Sequence, residues 1–136
     1  MALSTHDALV TLMIVSAWSD TEMSQQELDR IGLIVTNLPI FAGFDRSRLE
    51  AVANKTADAI NGPDGLDGVI EAAIAALPER LHDTAYALAV EIAAVDLRLE
   101  QEELRYLEMV RDHLASDRLT TAAIEAAARA RYRRAG

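Results

Sequence analysis

An acidic pattern occurs twice in this 136-residue chain, as Asp20-Thr-Glu-Met23-Ser24-Gln-Gln-Glu27-Leu28 and as Asp96-Leu-Arg-Leu99-Glu100-Gln-Glu-Glu103-Leu104. Both copies fit Asp-x-x-apolar-x-x-x-Glu-Leu. Carboxylates supply only oxygen, so Asp20, Glu27, Asp96 and Glu103 suit a hard divalent cation, Ca²⁺ first and Mg²⁺ or Mn²⁺ next. Glu22 and Glu100 can add ligands from within the loops. Each Glu falls in the first turn of a helix, where the dipole stabilises it by about 0.3–1 kcal/mol. Each Asp falls at the carbonyl end of the preceding helix, the wrong pole for an anion, and a bound cation would compensate. A second reading stands beside this one: each Asp caps the following segment and the glutamates are solvated first-turn residues. The twelve-residue spacing and central glycine of an EF-hand are missing from both copies.

The two patterns belong to a longer internal match. Residue n and residue n+76 are identical at eight of about 29 positions, among them His6 and His82, Asp7 and Asp83, Leu12 and Leu88, Ala17 and Ala93, and Gln25 and Gln101. Pseudo-repeats over about 6–38 and 82–114 within a single domain follow. If the halves fold face to face, their acidic corners converge on one anionic site.

The elements that must position these residues are helices. Few β-branched alternations, very low aromatic content and long alanine and leucine rows predict an all-α bundle of about seven helices. The spacing predicts helices over residues 7–19, from Ser24 to before Pro39, 45–61, 66–76, 79–95, 100–114 and 121–133. Ser24-x-x-Glu27 is a capping box, and Gly62-Pro63-Asp64-Gly65 is a turn that helix crosses only at a cost. Residues 8–17 and 85–95 are apolar nearly all round and should form the buried centre. Leu28, Ile31, Val35 and Leu38, and likewise Leu104, Leu107 and Leu114, give their helices one apolar face to cover the central pair as antiparallel hairpins. Trp18 against Ala94 in the second copy means that the halves cannot pack identically.

Charge and composition narrow the function further. The net charge is −9, and residues 1–116 carry 20 acidic against 8 basic residues, a net of −12. Such a body repels phosphate backbones and attracts cations, which argues against nucleic acid as a partner. Arg118, Arg129, Arg131, Arg133 and Arg134 crowd the end of the chain, where cations complement a helix dipole. With no cysteine, thiol chemistry, zinc-thiolate sites and disulfides are excluded, in keeping with a cytoplasmic protein. No apolar run approaches the roughly 20 residues that span a bilayer, and with His6 and Asp7 ahead of the first apolar stretch and no basic residue before it, a signal sequence is not expected there.

In length, helix order and motif the chain resembles the TerB-like tellurite-resistance proteins, whose recurring Asp-Gly-x-(Ile/Val)-x-x-x-Glu element is matched by Asp20, Met23 and Glu27 and by Asp96, Leu99 and Glu103. Thr21 and Leu97 stand in place of the family's glycine. The resemblance implies a compact helical domain whose acidic residues gather around a divalent metal. It also implies a non-enzymatic role in tellurite and other stress responses, as a member of a protein complex with peripheral membrane association. Two rivals are a purely structural helical interaction domain without metal and an HD-type metal-dependent phosphohydrolase using His82-Asp83 with His6, Asp96 or Asp112. The spacing weighs against the enzyme. His6 and His82 begin their helices 14 residues before Asp20 and Asp96, which places them about 21 Å away at the opposite ends. The histidines are then expected to be exposed helix-start residues, His113 to complement a helix C-terminus, and Glu91, the charge inside the most apolar helix, to reach a rim or pair with an arginine.

Overall fold

The computed structural model describes residues 3–17, 25–94 and 101–136, with residues 94 and 101–105 described as backbone. Among them are seven α-helices and no strand: α1 Thr5–Ala17, α2 Gln25–Asn37, α3 Leu49–Ile60, α4 Gly65–Ala75, α5 His82–Ala94, α6 Gln101–His113 and α7 Arg118–Arg131.

The absence of a polar face decides where α1 lies. From Ala8 to Ala17 every residue is buried, including the fully enclosed Leu9, Leu12 and Met13, each worth roughly 1.5–3 kcal/mol of transfer free energy. Ser16 is tolerated there because its hydroxyl donates to Leu12 O at 2.9 Å. The second apolar helix is its main partner. α5 packs on α1 more extensively than any other element, and Ala8, Ala85, Ala89 and Ala93 are all buried small residues that permit close approach. Apart from Leu81, the buried apolar residues of the described chain join in one cluster around this pair.

The one-sided helices surround that centre. α4 and α3 lie against α1, α7 against α5, and α6 touches α1, α4 and α5. From α2 come Ile31 and Val35, and from α3 Leu49 and Val52. The core-facing stripe on α2 is shorter than expected. Leu38 is 41% exposed, because α2 ends at Asn37 and the chain turns into a 3₁₀ segment, Pro39–Phe41, that carries Leu38 away from the core and buries Phe41 instead. On the second stripe Leu107 is buried and Leu114 packs partly against the core.

Turn chemistry sets the remaining boundaries. Gly65 has φ +63°, a left-handed conformation that only glycine adopts cheaply, so the turn before α4 needs it. Pro78 starts a 3₁₀ turn, Glu79–Leu81, so α5 begins at His82, three residues later than expected. The last helix begins three residues earlier than expected, because the Asp117 side chain accepts from Thr120 N–H as an N-cap. Asp45 caps the 3₁₀ turn Arg46–Arg48 that leads into α3. No helix is long and apolar enough to cross a membrane among the described residues.

Candidate functional site

The repeated acidic pattern spans the α1–α2 and α5–α6 joints. α1 ends at Ala17 and α2 begins at Gln25; α5 ends at Ala94 and α6 begins at Gln101. Glu27 is thus the third residue of α2, half-buried in its first turn, and Glu103 is the third residue of α6. Asp20 and Asp96 lie outside the described residues, as do Trp18 and Ser24, and Glu103 is described as backbone.

A different group converges elsewhere. Asp67 and Glu71 stand one turn apart on α4, and His113, the last residue of α6, reaches over them. One ligand atom from each lies within 4.8 Å of the others. Nε2 of His113 is 3.5 Å from Asp67 Oδ1, while its Nδ1 is 2.9 Å from Met109 O. A carbonyl only accepts, so Nδ1 carries a proton and donates it there. Asp67 and Glu71 are missing from any sequence expectation above, although their i, i+4 spacing puts them on one helix face. That His113 joins them depends on how α6 crosses α4.

Comparison with protein-family models, curated proteins and solved structures finds no match.

The two repeated His-Asp pairs have a structural task. His6 is half-buried between Phe41 and Phe44, and its Nε2–H donates to Ile40 O at 2.8 Å. His82 is buried, and its Nδ1 accepts from Ala115 N–H at 2.9 Å. The neighbouring aspartates act likewise: Asp7 holds Arg48 at 2.8 Å, and Asp83 accepts from the Ser116 hydroxyl at 2.7 Å. Each pair ties the start of a central helix to the loop region beyond the following helix. The expectation that these histidines are exposed helix-start residues is therefore not met: His6 is half-buried and His82 buried. Each start packs against a returning loop whose backbone polar groups need a partner.

Two further polar groups close the α5–α7 face. Glu91 accepts from the Arg131 guanidinium and, at 2.5 Å, from the Tyr132 hydroxyl, as its apolar setting predicts. Tyr86, with a buried ring, donates to Glu125 at 2.5 Å, and Arg111 stands 3.5 Å from the same carboxylate. Burial first, and then the hydrogen bond to Glu125, push the Tyr86 phenol well above its ordinary range. Tyr132 is raised by burial and by Glu91. These contacts secure α7, with its terminal arginines, onto the central helix.

A cleft of about 270 Å³ opens between the start of α1, α3 and α4, lined by Asp7, Thr11, Val52, Lys55, Thr56 and Val69. Its polar edge is the Asp7–Arg48 pair, with the guanidinium held above its usual basicity by the carboxylate.

Proposed function

We propose that this chain is a non-enzymatic, TerB-like helical module that binds a divalent cation through Asp20, Glu27, Asp96 and Glu103 and serves as a partner-binding component of a stress response related to tellurite resistance. Ca²⁺ is the first choice, because four carboxylates offer hard oxygen donors and no nitrogen. The stress role and the protein partners come from the resemblance alone.

The observation that carries the reading is the matched placement of the two motifs. Each acidic segment links a buried apolar helix to a one-sided helix, α1 to α2 and α5 to α6, and those two buried helices pack on each other. The matching use of His6-Asp7 and His82-Asp83 as loop anchors adds to the likeness of the halves. In sequence Asp20 and Asp96 follow the two buried helices, where a carboxylate meets the unfavourable pole of the dipole and a divalent cation would relieve it.

Calorimetric titration of the metal-free protein with Ca²⁺, Mg²⁺ and Mn²⁺ tests the site. Binding should occur in the native chain and be lost in Asp20→Asn/Asp96→Asn. An equal, millimolar-weak response in both proteins would overturn the cation reading and leave the purely structural helical interaction domain.

A further inference from the structure

We propose that Asp67, Glu71 and His113 form a second metal site, separate from the repeated motif, that takes a borderline transition ion, Zn²⁺ foremost, and clamps the end of α6 to α4.

The decisive feature is the imidazole. With Nδ1–H committed to Met109 O at 2.9 Å, Nε2 is the ring nitrogen left to meet the carboxylates, and it lies 3.5 Å from Asp67 Oδ1. One ligand atom from each of Asp67, Glu71 and His113 lies within 4.8 Å of the others, a grouping that one shared cation can bridge. A metal-binding histidine is commonly oriented in this way, its other N–H held by a backbone carbonyl that fixes tautomer and direction. A proton on Nε2 would satisfy one carboxylate oxygen. The group holds two carboxylates, and among the described residues no lysine or arginine is paired with either.

The carboxylates themselves favour a cation. At i, i+4 on one helix face, two like charges repel by a few tenths of a kcal/mol, which a shared cation reverses. Four-coordinate Zn²⁺ with bonds of about 2.0–2.1 Å keeps its ligand atoms about 3.3 Å apart. The present spread, within 4.8 Å, closes to that by rotation of side chains that are free to move: Asp67 is 64% exposed and Glu71 is exposed, whereas His113 is 27% exposed and anchored. Three protein ligands leave a fourth position for water.

Donor chemistry separates this site from the hairpin motif. One imidazole nitrogen with two carboxylate oxygens suits Zn²⁺, Ni²⁺ or Cu²⁺, while Ca²⁺ prefers oxygen alone. Binding would join α4 and α6, which already touch through the bundle, and so fix the α6 end from which the chain turns toward α7.

The test uses the full metal-free chain, titrated with Zn²⁺ by calorimetry and with Co²⁺ by visible absorption. We expect one equivalent to bind at this site with a Co²⁺ ligand-field spectrum of low coordination number. Affinity should drop about 10-fold or more in His113→Gln and in Asp67→Asn/Glu71→Gln, with melting curves of metal-free variants close to that of the native chain and the Ca²⁺ response unaltered. Zn²⁺ binding that is equally tight in native and both variant proteins, or no binding tighter than millimolar in the native chain, would overturn the proposal. Loss of the Ca²⁺ response alone, in Asp20→Asn/Asp96→Asn with Zn²⁺ binding intact, would support the independence of the two sites.

Discussion

Glu91 lies within the most apolar stretch of α5 and is nevertheless accounted for, because two donors from the end of α7 meet it. Removing the carboxylate leaves the Tyr132 hydroxyl and the Arg131 guanidinium without that partner, so Glu91→Ala should lower unfolding free energy by about 1 kcal/mol in urea titration. Tyr86 gives a pH-dependent counterpart. Its folded-state pKa is raised, so it contributes stability that is fully present below the unfolded phenol value of about 10 and is lost as pH rises past it. Tyr86→Phe should cost about 1 kcal/mol at neutral pH and flatten the decline measured above pH of about 10. An equally steep alkaline decline in the variant would show that other groups carry it. His82, buried with Nδ1 accepting from Ala115 N–H, makes the third residue-scale case: His82→Ala leaves an unpaired amide and a void, and should cost about 2–3 kcal/mol.

At the scale of elements, starts and turns were more sensitive to local chemistry than the helices themselves. Gly65 holds the left-handed residue that lets α4 begin after the Gly62-Pro63-Asp64 turn. Gly65→Ala should therefore destabilise by about 1–2 kcal/mol in thermal or denaturant unfolding, despite the better helix propensity of alanine. The Asp117 cap has its carboxyl held below the usual range, first by Thr120 N–H. Its stabilising effect is thus present above the ordinary aspartate range and disappears as pH falls through the lowered folded value. Asp117→Ala should depress the melting temperature at neutral pH and cost progressively less in acid. Helix identity was legible from the sequence because an all-apolar face such as residues 8–15 has only one place to go. The boundaries at His82 and Arg118 were not, since Pro78 opened a 3₁₀ turn and Asp117 offered a cap that competed with the expected start at Thr121.

For the whole molecule, a net charge of −9 on 136 residues sets the background. Self-repulsion of the folded state is screened by salt, so the melting temperature should rise on going from about 10 mM to about 150 mM NaCl. Ca²⁺ at matched ionic strength should raise it further, by mass action on a native-state site, and that extra increment should vanish in Asp20→Asn/Asp96→Asn. A rise fully reproduced by NaCl would reduce the calcium effect to screening. The two metal proposals also differ at this scale: a cation on the repeated motif would act on the segments that follow α1 and α5, whereas one held by Asp67, Glu71 and His113 would fasten α4 to α6.

The sequence alone determined the helical class, the two buried apolar helices, the polar turn at residues 62–65 and the need of Glu91 for a partner. In each case the deciding physics is local, a matter of periodicity, backbone restriction or the cost of an unpaired charge. It also marked the repeated acids as chemically notable through their types and spacing. Only tertiary structure decided that His6 and His82 anchor returning loops and that His113 meets Asp67 and Glu71. Those outcomes join residues 33–46 positions apart, and no local preference specifies which side chains meet when one helix crosses another.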